Sequence, residues 1–192
     1  GYEYVPTPRT ILEGVQKLPP AHVLVADSDG FKISKYWDFS FESKKTAGVD
    51  HLIEEVLNAL DQAVERRLIS DVPLGAFLSG GIDSSLMVAL MDRHTDRPVS
   101  TFSIGFDDKS YNELSFAQTV ADRFGTDHHE QVLTDNDVIE LIEDGFVEYL
   151  DDPIADTSIF PTYLVSQMAS NDVTVALSGD GSDELFAGYE RY

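Results

Sequence analysis

Val72-Pro73-Leu74-Gly75-Ala76-Phe77-Leu78-Ser79-Gly80-Gly81-Ile82-Asp83-Ser84-Ser85 is the stretch on which the fold turns. Its first half is short and apolar, the length of a buried strand rather than of a helix. Two adjacent glycines then break the run, and an apolar helix is expected from about Ser84 to His94. A strand that ends in a glycine loop and opens a helix is the unit from which parallel sheets are built. The junction is also where such sheets take their ligands.

Downstream the alternation continues. Val99–Phe106 reads as a second strand, and 112–124 as a helix with Ala117, Val120, Ala121 and Phe124 on one face and Gly125 as its stop. His128–Leu133 reads as a third, shorter strand. Val138–Leu150 and Ile159–Ala169 read as helices, and Val173–Leu177 as a fourth strand. Upstream, Leu52, Val56, Leu60, Val64 and Leu68 recur every fourth residue behind Asp50, which suits an N-cap. The expected class is α/β, a doubly wound, mostly parallel sheet.

Residues 1–47 differ. Pro6, Pro8, Pro19 and Pro20 exclude helix and central strand there. Two extended segments, His22–Ala26 and Phe31–Tyr36, flank Asp27-Ser28-Asp29-Gly30 as in a hairpin. Ser40–Gly48 has linker composition. One hairpin cannot bury a core, so 1–47 is expected to be the end of a preceding domain and 48–192 the first part of a second. The chain opens on Gly1 and stops at Tyr192, inside what reads as a helix beginning near Asp183, so a piece of a longer protein is expected.

The charge balance is 13 basic against 35 acidic side chains, a net −22 over 192 residues. Such a field repels a phosphate backbone, which argues against nucleic-acid binding. No apolar run approaches a membrane span. The chain contains no cysteine, which removes disulfides, thiolate metal sites and a cysteine nucleophile. A small anion binding here needs local help from backbone N–H groups or a metal.

Ser79 to Ser85 offers that help: glycines that admit a ligand close to the backbone, a helix amino terminus, and the hydroxyls of Ser79, Ser84 and Ser85. No lysine follows the glycines, so this is not a Walker A loop. Asp83 is the puzzle. Placed ~4 Å from a phosphate charge, it costs about 4 kcal/mol at an effective dielectric of about 20. It belongs there only with a cation between them, and Mg²⁺ is the natural one. The plainer alternative makes Asp83, Ser84 or Ser85 an ordinary N-cap. A second loop, Ala176-Leu177-Ser178-Gly179-Asp180-Gly181-Ser182-Asp183-Glu184, repeats the pattern of strand, Ser-Gly turn, acids and helix start. Both loops are expected at the carboxyl edge of one sheet, with Asp83 and Asp183 able to share one Mg²⁺.

Ser79-Gly-Gly-Ile-Asp83-Ser84 resembles the pyrophosphatase loop of ATP-using amide-forming and tRNA-modifying enzymes. The longer string from Arg67 to Ser85, with Ser178 to Tyr189, resembles the glutamine-hydrolysing asparagine synthetase family. Tyr4 to Ile11, Lys17 to Pro20 and Tyr36-Trp37-Asp38 are similar to the end of that family's glutaminase domain. The resemblance implies a cytoplasmic enzyme, with a possible homodimer in the full-length protein, that activates aspartate with ATP. β-Aspartyl-AMP then yields asparagine with ammonia drawn from glutamine. It implies that Ser79, Gly80, Gly81, Asp83 and Ser84 grip pyrophosphate and Mg²⁺, with Asp183 as the second metal carboxylate. Phe77 and Ile104 would touch the adenosine, and Ser178 and Gly179 would also contact ATP. Asp180 stands where many members carry Glu, a residue tied to forming the acyl-adenylate. Asp156, Thr157 and Ser158 fall in the substrate-side loop, although Thr157 and Ser158 also suit an N-cap. His128 and His129 have no evident role beyond packing and hydrogen bonding.

The family's glutaminase nucleophile is an amino-terminal cysteine that this chain lacks, and a basic residue near the phosphates is expected beyond Tyr192. The 192 residues alone are therefore expected to bind nucleotide but to make little or no asparagine. Relatives that amidate another carboxylate, or a nucleotide-binding pseudo-enzyme, remain as alternatives.

Overall fold

The computed structural model describes residues 4–42, 44–108 and 112–189. Two compact units divide the chain: one takes in the segment through Ala47 together with Leu141–Thr157, the other Gly48–Glu140 and the residues from Ser158 onward.

In the first unit, β1 (His22–Asp27) and β2 (Gly30–Lys35) form an antiparallel hairpin in which Asp27 pairs with Gly30 across Ser28 and Asp29. Gly30 takes a positive φ of 132°. Trp37, Phe39 and Phe41 follow as an aromatic ladder, with centroids 4.5 Å and then 5.9 Å apart. Lys17 pairs with Asp152 and donates to the Val5 carbonyl at 2.8 Å, tying three stretches of this unit together.

The second unit is the α/β body. After α1 (Val49–Arg67) come β3 (Leu74–Phe77), α2 (Ile82–Asp92), β4 (Ser100–Phe106), α3 (Leu114–Phe124) and β5 (Asp127–Leu133). Then follow α4 (Asp135–Glu143), whose residues after Glu140 fall in the first unit, α5 (Ile159–Ala169), β6 (Val175–Leu177) and α6 (Ser182–Phe186). The strands lie in the order β5-β4-β3-β6, all parallel. The chain steps outward from β3 to β5, then returns to lay β6 on the other side of β3. That reversal makes β3 and β6 the topological switch point, where a parallel sheet opens a crevice at its carboxyl edge.

Side-chain alternation along β4 shows why both faces are covered. Phe102 points to one side and is fully buried against Val165 and Ala169 of α5. On the other side, Ala76 and Leu78 bury with Val88 and Met91 of α2, Ala117 and Ala121 of α3, and Val64 of α1. Burying each larger apolar side chain stabilises the fold by roughly 1.5–3 kcal/mol. Thr101 and Ser103 bring buried hydroxyls into this core, and both are satisfied. Thr101 Oγ1 lies 2.9 Å from both Thr126 Oγ1 and His128 Nδ1, and Ser103 donates to the Leu78 carbonyl.

Four local expectations are corrected. The cap of α1 is Gly48, not Asp50, which lies inside the first turn. β5 is as long as β4 at seven residues, not shorter. The helix expected over Val138–Leu150 is two pieces. α4 begins at Asp135 and ends at Glu143, Gly145 adopts φ 85°, and a 3-10 turn follows over Phe146–Tyr149. That left-handed glycine cannot continue a helix. A helix does begin near Asp183, but α6 stops at Phe186, where Ala187 turns to φ 55°; Tyr192, expected inside that helix, lies outside the described residues.

Candidate functional site

Both glycine loops leave the carboxyl ends of neighbouring strands, and they are built alike. In each, a glycine caps the following helix and an aspartate sits two residues on, in the first turn. Gly81 precedes Asp83 in α2, and Gly181 precedes Asp183 in α6. Neither aspartate is itself a cap, which removes the plainer reading of Asp83. Carboxylates are favoured there by the partial positive charge of the helix start.

The first loop is held by its own serines. Ser84 Oγ donates to the Gly81 carbonyl at 3.3 Å, and a carbonyl can only accept. The Ser79 hydroxyl then donates to Ser84 Oγ at 2.9 Å. Ser79 Oγ in turn accepts from the Gly81 N–H at 3.2 Å. The Gly81 N–H is thus engaged inside the loop instead of facing outward. Gly80, at φ 85°, presses against Phe116 and Ala117 at the start of α3, where a side chain has no room.

The two loops touch. A methyl group placed on Gly179 would fall 2.9 Å from Asp83 Cβ and 3.0 Å from the Ser84 nitrogen. Only glycine permits this approach, and it brings Asp83 and Asp183 to one cleft of about 480 Å³. Ser79, Ser84, Ser178, Gly179, Asp180 and Gly181 also line it, with Phe77 and Ile104 on its apolar side. Ser178 donates to Asp180 Oδ2 at 2.9 Å. Gly80 and Gly81 shape the loop without lining the cleft. Asp156 and Thr157 belong to the other unit, and neither they nor Ser158 lines the cleft. Ser158 stands at the N-cap position of α5 in helical conformation, without a side-chain capping bond.

Sequence reading gave no site role to Pro161, Thr162 and Val165 of α5, to Glu184 at the end of the second loop, or to Tyr189 beyond it, all of which line the cleft. No motif surrounds the α5 residues; the packing of α5 across β4 brings them there. The Tyr189 hydroxyl donates to Glu184 Oε1 at 2.9 Å.

The electrostatics of the cleft are one-sided. Asp83, Asp180, Asp183 and Glu184 face it, and among the described residues no Lys, Arg or His lines it. Among the described residues no group of three or more His, Asp and Glu could hold a metal by itself. Two carboxylates fit Mg²⁺ in particular, because that ion commonly takes one or two carboxylates and fills its remaining positions with water and substrate phosphate oxygens.

His128 and His129 lie apart from the lining, on opposite faces of β5. His128 bonds Thr101, and its burial pushes the imidazole pKa below the ordinary value, opposed by the Glu130 carboxylate. His129 stacks on Phe102 at a centroid distance of 5.2 Å.

A family model for asparagine synthase matches residues 55–192. A putative glutamine-hydrolysing asparagine synthetase 2 of Methanocaldococcus jannaschii is 44% identical over 188 residues, 97% of this chain and 36% of its own length. Glutamine-hydrolysing asparagine synthetase 1 of Bacillus subtilis is 35% identical over 192 residues, 100% of this chain and 30% of its own. The chain therefore spans about a third of the length of these curated relatives. Among solved structures, a glutamine-dependent NAD⁺ synthetase from Acinetobacter baumannii in complex with ADP is similar at TM-score 0.52 and 22% identity. That match covers 86% of this chain and 31% of that one, and it speaks to the fold alone.

Proposed function

This chain belongs to the asparagine synthase family, and from that premise we propose that its cleft activates the β-carboxylate of aspartate with ATP. The observation that carries the reading is the contact of Gly179 with Asp83, which joins two acid-bearing glycine loops at the switch point of the sheet.

In this reading the pyrophosphate end of ATP takes over the Gly81 N–H and the hydroxyl protons of Ser79 and Ser84 from the bonds they make within the loop, with Gly80 fixing the loop against α3. Asp83 and Asp183 hold Mg²⁺, which neutralises the phosphate oxygens and the charge of the leaving pyrophosphate. Phe77 and Ile104 give the adenosine its apolar bed, and Ser178 and Gly179 lie beside the nucleotide. A β-carboxylate oxygen attacks the α-phosphorus, its new P–O bond forms, and the bond to the bridging oxygen breaks with that electron pair on pyrophosphate. Ammonia then attacks the acyl carbon of β-aspartyl-AMP and loses a proton; AMP departs and asparagine remains. Asp180, fixed by Ser178, stands beside the reacting carboxylate. Residues 1–47 form the end of a glutaminase domain, and the ammonia comes from glutamine through parts of the longer protein. A cytoplasmic setting and a homodimer of that longer protein accompany the reading.

Isotope exchange tests it. In a protein of the relatives' length, labelled pyrophosphate should enter ATP only when aspartate and Mg²⁺ are both present, and AMP should be the nucleotide product. Formation of ADP, or exchange indifferent to aspartate, would overturn it.

A further inference from the structure

One wall of the cleft belongs to a helix with no motif of its own. Val165 of α5 is buried with Phe102, and Phe77 and Ile104 pack against that cluster. The apolar side of the cleft thus continues from the strand ends onto α5. Thr162, one helical turn earlier and on the same face, is exposed and lines the cleft. Its Oγ1 lies 2.7 Å from the Ser158 carbonyl oxygen. A carbonyl only accepts, so the threonine proton is committed there, and what remains to Thr162 is lone pairs. The other hydroxyls lining the cleft are committed in the same way. Ser103 donates to Leu78, Ser178 to Asp180, Tyr189 to Glu184, Ser84 to Gly81 and Ser79 to Ser84. Beside the apolar slot, away from the glycine loops, Thr162 and Ser103 offer hydroxyls that accept while their protons are held by carbonyls.

Resting on the reading of this cleft as an ATP site, we propose that Thr162 selects the base: its proton-committed hydroxyl accepts a hydrogen bond from the 6-amino group of adenine and disfavours purines with an oxygen there. An amino group donates, whereas a 6-oxo group can only set acceptor against acceptor. The mismatch denies the base and Thr162 a bond to each other. Val165, Phe77 and Ile104 supply contact area that does not distinguish the two bases.

Calorimetric titration of the chain with the Mg²⁺ complexes of ATP, ITP and purine riboside triphosphate tests this: inosine carries a 6-oxo group and an N1–H, and purine riboside loses the amino group while N1 stays an acceptor. ATP should bind about tenfold more tightly than either, the scale of one neutral hydrogen bond. Thr162→Val keeps the shape and removes the acceptor, and should bring ATP to within about twofold of purine riboside triphosphate, chiefly by weakening ATP. Thr162→Ser should restore the preference. An unchanged ratio of ATP to purine riboside triphosphate in Thr162→Val, or no preference in the parent chain, would overturn the assignment of Thr162 while leaving the ATP site standing. Binding of none of the three nucleotides by the parent would overturn the ATP reading itself, and this inference with it.

Discussion

Gly179 sits where a single methyl group would strike both Asp83 Cβ and the Ser84 nitrogen, at 2.9 and 3.0 Å. Those are parts of the first loop with nowhere to retreat, because Ser79 and Ser84 lock it internally. Gly179→Ala should therefore cost about 1–3 kcal/mol of stability in a thermal or urea melt. It should also weaken Mg·ATP binding at least about tenfold by parting the two aspartates. An alanine variant with parental affinity would mean that the loop contact does not build the site. His128 gives a second prediction at this scale. Burial lowers its folded-state pKa below the usual value of about 6.5. The stability linked to it is complete above that value and is lost as pH falls through the folded pKa, because the unfolded chain takes up the proton first. The urea midpoint should fall on acidification from about pH 7 to 5.5, and His128→Asn should fall less steeply. Equal slopes would contradict this.

Helix ends show where the sequence was readable and where it was not. Gly125 stops α3 at φ 61°, as its position after Phe124 suggests. Gly145 stops α4 just as firmly, yet the apolar residues on either side carry a helical spacing that conceals the break. The start of α4 was also present in the sequence, as Thr134-x-x-Asp137. Thr134 donates its N–H and hydroxyl to Asp137 Oδ2 at 2.7 and 2.6 Å, and the Asp137 N–H returns a bond to Thr134 Oγ1 at 3.3 Å. This is a capping box with Asp in the place usual for Glu or Gln. It escaped notice because apolar periodicity begins only at Val138. Thr134→Ala should lower stability by about 1 kcal/mol, read from the urea midpoint; no change would remove the cap from the account. The two glycine loops were legible because each packs its turn, hydroxyls and acid into a few consecutive residues. The α5 wall was not, since Thr162 and Val165 acquire their place only when α5 packs across β4, against Phe102.

At the scale of the molecule, the net charge of −22 and the cleft tell one story. Four carboxylates face the cleft and no basic side chain lines it among the described residues, so these residues by themselves repel the ligand their loops are shaped to hold. A cation reverses that sign. The measurement that bears most directly on this claim is calorimetric titration of the chain with ATP, with and without Mg²⁺, for the parent and for Asp83→Asn. Mg²⁺ should strengthen ATP binding to the parent by well over about tenfold. Asp83→Asn should lose most of that gain, while binding metal-free ATP no worse than the parent does. ATP affinity that is indifferent to Mg²⁺, or absent with and without it, would contradict the account.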